Sequence, residues 1–200
     1  MQRSVSLPRI AAVSAAVLFA GAVAGFGAAF PRFLQLVHPV AALGASGVPR
    51  AMAFNLVAFV TPGVLAILVA QSLRARMSSA PMAARLGVQM LTLAAMAFAA
   101  LGLLPLDSRD LLSAASRAHA AAWTVWWIAF VAGGLLLGVG MRGTPHAPRS
   151  RAVAACALVA LAFALLLPGL VPIGLSQRIA FAAWLLAVLL MAPARANGGR

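Results

Sequence analysis

The sequence predicts an all-α fold: a polytopic membrane bundle of six transmembrane helices, forming a single integral membrane domain over residues 1–200 with both termini cytoplasmic. Three observations predict it. The chain is 64% hydrophobic and only 8% charged, whereas soluble domains average about 25% charged residues. Six stretches approach or exceed the roughly 18 to 20 apolar residues needed to cross a hydrocarbon core about 30 Å thick. The fifteen basic residues, all arginine, divide unequally between alternate connections, and basic residues flanking spans are retained on the cytoplasmic side. Helices are the spanning solution, because a backbone group left unpaired in lipid is strongly unfavourable.

The first span, 10–30, follows the basic start "MQRSVSLPR" and ends in the small-residue run "GFGAAF", features that a secretory signal would share. Its apolar run is longer than the roughly 7 to 15 residues of a signal core, which favours a retained span. The spacing of Gly21 with Gly25 reads as a close helix contact, as does that of Gly134 with Gly138 in the fourth span. The connection 31–50, "PRFLQLVHPVAALGASGVPR", exceeds the length of an ordinary loop and is too apolar for disorder. It is expected to fold against the helix ends or to dip into the outer leaflet.

Span two, 51–72, carries Asn55 one turn inside and a bend at Pro62-Gly63. Span three, 83–104, leads into "LPLDSRD", which holds Asp107 and Asp110, the only two acidic residues of the chain. Asp107 after Pro105 is placed to cap the helix leading into span four. Asp110 then sits at the third helical position, where a carboxylate suits the positive end of the helix dipole. Within span four, 118–139, His119, Trp123, Trp126 and Phe130 share one face. Such a stripe either packs between helices or lines an apolar groove, capped by His119, that would take a lipid or isoprenoid tail. Span five, 152–171, contains the lone Cys156, read as a packing residue, and a bend at Pro168-Gly169. Span six, 175–194, is interrupted at its start by Gln177 and Arg178; an arginine there can snorkel to the headgroups.

Arg3, Arg9, Arg74, Arg76, Arg85, Arg142, Arg149, Arg151, Arg195 and Arg200 fall on one side of this topology, and Arg32, Arg50, Arg109, Arg117 and Arg178 on the other. The first side is therefore cytoplasmic, and the chain is expected in the cytoplasmic (inner) membrane of a bacterial cell. A charge of +13 needs no nucleic acid partner, since the arginines are dispersed at helix ends. The expected partners are membrane lipids, with a homo-oligomer or a membrane partner protein as further options.

The remaining polar residues gather at the outer face: His38, Arg50, Asn55, Asp107, Asp110, His119, Gln177 and Arg178. Span centres carry no ionisable side chain, which counts against an ion-coupled transporter. No metal or other cofactor is expected. A zinc centre, if present, would use His38, His119 and Asp107, although no ligand spacing of the HExxH kind occurs. A b-type haem would need two axial histidines at one level, and His38 lies in a loop.

"HPVAALGASGVPRAMAFNLVAFVTPGVLA", "GLLPLD" followed by His119, and "SQRIAFAAW" at the head of the last span, taken in this order, resemble the six-span membrane proteins of domain-of-unknown-function family 998. The resemblance implies the fold and the site location but no activity. Where that family commonly has a hydroxyl residue and then an acid after "HP", this chain has Ala41 and Ala42, so no serine nucleophile is implied there. The leading expectation is a non-catalytic lipid- or partner-binding membrane component with a polar cluster at its outer face. The alternative is an intramembrane enzyme acting on a lipid-linked substrate, with Asp107 or His119 as base or metal ligand and Arg50 or Arg178 on an anionic headgroup. A transporter is the third choice.

Overall fold

A computed structural model of the chain describes residues 6–193. Arg3, Arg195, Arg200 and the expected end of the sixth span at Ala194 lie outside the described residues. Six helices are long and apolar enough to cross a membrane: α1 Leu7–Ala29, α2 Ala51–Ala75, α3 Met82–Leu103, α4 Ala114–Gly140, α5 Ala147–Leu166 and α6 Ile173–Met191. Among the described residues there is no β-strand, and one isolated bridge joins Pro168 to Val171. The chain thus has the make-up of a multi-pass membrane protein.

Helix boundaries follow local chemistry. Pro8 and Pro148 stand in the first turns of α1 and α5, where a missing N–H is no loss. In α2, the turn Leu56–Val60 widens to π geometry just ahead of Pro62; Thr61 N–H bonds back to Leu56 O, which makes room for a proline that cannot donate. The helix therefore continues through Pro62-Gly63 to Ala75. α5 ends in a second π turn at Leu166, short of the expected 171, because Pro168 and the left-handed Gly169 form a turn beyond it.

The start of α4 differs from the sequence expectation. Ser113, not Asp107, is the N-cap: its hydroxyl accepts the Ser116 N–H at 3.1 Å. Asp107 and Asp110 lie in the preceding loop, where Asp107 Oδ1 accepts Arg109 N–H (3.0 Å) and Asp110 Oδ1 accepts Leu112 N–H (2.9 Å). Each carboxylate thus closes a local Asx turn two residues ahead, an alternative to helix that short acidic side chains favour. Two acids three positions apart fold one loop.

Successive helices pack as neighbours, α3 against α4 most extensively, and α6 returns to α1 to close the ring along the lightest seam between neighbours. At the α3–α4 contact Gly87 faces the backbone of Gly133 and Leu137, so a Cβ there would meet Leu137 N at 2.6 Å. The expected contact through Gly21 and Gly25 does not form: both are exposed, with nothing within 4 Å of a built Cβ. Their spacing lies on the face of α1 turned away from the bundle. Gly134 and Gly138 do face α5, through Ala157 and Ala154.

The core is aromatic. Phe181 of α6 stands at its centre, with ring centroids 5.3 Å from Phe19, 5.6 Å from Phe59, 5.5 Å from Phe98 and 5.1 Å from Trp126. Trp126 and Trp184 meet at 90° and 6.5 Å, within the range of favourable edge-to-face contacts. Both indole N–H groups are buried without a hydrogen-bond partner among the described residues. Cys156 is a free, buried thiol among the small residues of α5.

Candidate functional site

Connections 30–50, 104–113 and 167–172 lie at one end of the bundle, here the loop end; connections 76–81 and 141–146 lie with the described chain ends at the other, the termini end. All eight polar residues singled out from the sequence are at the loop end. Their hydrogen bonds run overwhelmingly to main-chain groups of segments that helices cannot satisfy by themselves.

The 31–50 connection is fastened at several points. It makes turns, then a 3₁₀ helix over Val40–Gly44. From α2, the buried Asn55 donates through Nδ2 to Gly44 O at 2.9 Å. A Cβ on Gly44 would overlap Asn55 Oδ1, so glycine is what lets the amide approach. From α6, Gln177 Oε1 accepts Val40 N–H at 2.8 Å. Arg178 donates to His38 O (3.2 Å), to Gly174 O (2.8 Å) and to Gln35 Oε1, and its guanidinium lies 5.8 Å from the centroid of the Phe33 ring. Gln35 in turn donates to Val23 O of α1 at 3.1 Å, over Gly27.

The fastening is reciprocal. Gly174 and Leu175, in the first turn of α6, have no intrahelical acceptors for their N–H groups. They donate to Val37 O (3.3 Å) and Leu36 O (2.9 Å) of the loop. Ser46 N–H donates to Leu106 O (2.8 Å), joining the two loops. Arg178 lies five residues into α6, roughly 8 Å from its start at 1.5 Å per residue. At that depth a charge is tolerated when backbone carbonyls face it, and His38 O and Gly174 O do so. Leu34, Leu36 and Val37 are exposed apolar residues on the loop surface, so the loop roofing Arg178 is itself suited to an apolar surrounding.

Ser116, which the sequence reading did not single out, organises the second loop. Its buried hydroxyl lies 2.8 Å from Asp110 O and 3.0 Å from Asp107 O, and it accepts Asp107 N–H at 3.2 Å. His119 Nδ1 meets Leu104 O at 2.7 Å, which requires the Nδ1–H tautomer and satisfies a carbonyl at the end of α3. His38 plays the opposite part: its Nδ1 accepts Leu34 N–H at 2.9 Å. Arg50 is exposed and is the N-cap of α2 in a left-handed conformation, φ 63°. Gln35, likewise absent from the expected cluster, had one signal, that of a lone amide in an apolar loop.

The structure does not bring His38, His119 and Asp107 together as a ligand set; among the described residues no three His, Cys, Asp or Glu side chains are grouped to hold a metal. The stripe on α4 faces inward. Trp126 and Phe130 are fully buried in the aromatic core and Trp123 packs against Phe181, so that face is filled by Phe181 and Trp184 and opens no groove.

A groove does exist on the α1–α6 seam. It has a volume of about 560 Å³ and runs between Ala16, Ala20 and Ala24 of α1 and Ala182, Leu186 and Leu189 of α6, with Gln35 and Arg178 at its loop-end head. Phe19, Val23 and Leu185 complete the lining. The small side chains of Ala16, Ala20 and Ala24 on α1, with Ala182 on α6, leave the space.

No protein-family model matches the chain, and neither a curated protein nor a solved structure matches it.

Proposed function

We propose that this protein is a non-catalytic component of the bacterial cytoplasmic membrane that binds a lipid chain in the α1–α6 seam, with its loop end facing away from the cytoplasm. The observation that carries this reading is the groove: apolar over its length, lying along two spans, and headed by Arg178 and Gln35. Helix flanks at this depth face bilayer lipid, and the volume lies within the roughly 300 to 1,000 Å³ typical of small-molecule sites. An acyl or isoprenoid chain matches an apolar lining; a polar substrate does not.

The polar residues support the non-catalytic part. Asn55, Gln177 and Arg178 bond main-chain atoms of the 31–50 connection and hold it as a roof over the seam, while Ser116 and His119 hold the 104–113 loop and the end of α3. Membership of the six-span family 998 is part of the same proposal and rests on the sequence resemblance. The arginine distribution supports the orientation.

Site-specific photo-crosslinking tests the proposal. A photoreactive residue at Ala20 or Leu186, activated in intact membranes, is expected to give an adduct with the mass of a lipid. The bulky replacement Ala182→Trp is expected to abolish it. Adducts to another polypeptide would replace the lipid by a protein partner, and no adduct at either position would contradict the reading.

A further inference from the structure

At the termini end lies a second cavity, of about 570 Å³, framed by connections 76–81 and 141–146, the start of α5 and the end of α6. Its floor is apolar, with Leu137, Met141, Val153 and Met191, and its polar lining includes Arg76, His146 and Arg149. We propose that it binds a phosphate-bearing ligand with an apolar portion, the phosphate resting against Arg76 and Arg149 and the apolar portion on the methionine floor. This site is separate from the α1–α6 groove and does not rest on its reading.

Three features converge on an anion. The first is charge. The only acidic side chains of the chain, Asp107 and Asp110, stand in the loop-end connection, so no carboxylate side chain neutralises the arginines here. The second is crowding of like charge. Arg149 donates to Ala192 O and Arg9 to Leu189 O (3.1 Å), placing two guanidiniums on carbonyls three residues apart at the end of α6. Both complement the negative end of that helix dipole, but their mutual repulsion remains. The third is the start of α5, where Thr144 already accepts the N–H groups of His146 (3.3 Å) and Ala147 (3.0 Å) and Pro148 has none, so this helix end offers the cavity the positive end of its dipole rather than a set of free donors. Planar guanidiniums beside a helix start suit phosphate oxygens, which accept several N–H donors at once. The apolar floor separates such a ligand from bare phosphate.

The test uses the full-length protein purified in detergent and measures binding of dioctanoyl phosphatidic acid by calorimetry. Dioctanoyl phosphatidylcholine, with the same chains, and inorganic phosphate form the comparison arms. Phosphatidic acid is expected to bind at least about tenfold tighter than phosphatidylcholine, and Arg76→Gln to weaken it by about tenfold, the loss of one charge-assisted hydrogen bond. Arg76 makes no hydrogen bond from its side chain among the described residues and is exposed, so this variant keeps the fold where Arg149→Gln would loosen the end of α6. Competition by inorganic phosphate would identify a free anion as a source of the same chemistry; its failure to compete would leave the lipid headgroup. Equal binding of the two lipids, or unchanged affinity in Arg76→Gln, would overturn the proposal.

Discussion

Replacing Arg178 by methionine keeps the apolar stem against the seam and removes the guanidinium that holds the 31–50 connection. Of its three hydrogen bonds, the one to Gly174 O lies within α6, whereas those to His38 O and Gln35 Oε1 tie α6 to the loop. A hydrogen bond to a charged group contributes about 1.5 to 3 kcal/mol when buried. Arg178 is half-buried, so the lower end applies to each, and the two together hold the loop by about 3 kcal/mol. That corresponds to a roughly hundredfold increase in the open population of the loop. Hydrogen exchange by mass spectrometry in nanodiscs reads this directly at Val40 N–H and Ser46 N–H, which depend on Gln177 Oε1 and Leu106 O. Protection there should fall by that order in Arg178→Met while amides in the middle of α3 and α4 keep theirs. Arg178→Lys should recover only a fraction, since a single ammonium cannot serve acceptors on both sides of a guanidinium fork. Loop protection unchanged within threefold, or a loss spread evenly over all six helices, would refute the fastening argument.

Three further outcomes are expected. Gly44→Ala should lower thermal stability in detergent by about 1 to 3 kcal/mol, because the new methyl displaces the buried Asn55 amide from its carbonyl; in an Asn55→Ala background the same change should be much milder, and additivity of the two would count against their coupling. Trp126→Phe should stay within about 1 kcal/mol of the parent, since it deletes an indole N–H that has no partner, whereas Trp126→Ala should cost about 3 to 5 kcal/mol by opening a core cavity. A cysteine at the exposed Ser108, in a variant with Cys156→Ser, should react with an impermeant maleimide added outside intact cells; labelling only after permeabilisation would reverse the orientation.

The helices were legible because an apolar run of span length has few alternatives once backbone pairing in lipid is required. Their ends were less so. Asp107 and Asp110 read as capping residues by type, but the weaker Ser113-x-x-Ser116 pattern supplies the cap and the hub, and only the fold shows that the acids close turns ahead of it. The loop-end gathering of His38, Arg50, Asn55, Asp107, Asp110, His119, Gln177 and Arg178 followed from topology; their partners, being main-chain atoms of distant segments, leave no trace in residue identity. Periodicity placed Trp126 and Phe130 on one face without saying which way that face turns. The seam groove is opened by four alanines among ordinary apolar residues, a pattern that carries no signal of its own. Gly87 and Gly133 meet across two helices, so no spacing motif announces them, while of the two glycine spacings read as contacts Gly134 with Gly138 faces α5 and Gly21 with Gly25 faces outward.

The most direct test of the seam as a lipid site is a cryo-electron microscopy map of the protein in nanodiscs made from native membrane lipid. An elongated density between Ala20 of α1 and Leu186 of α6, ending beneath Arg178, is the predicted result. A seam closed by its own side chains, or one occupied by a helix of another chain, would contradict it.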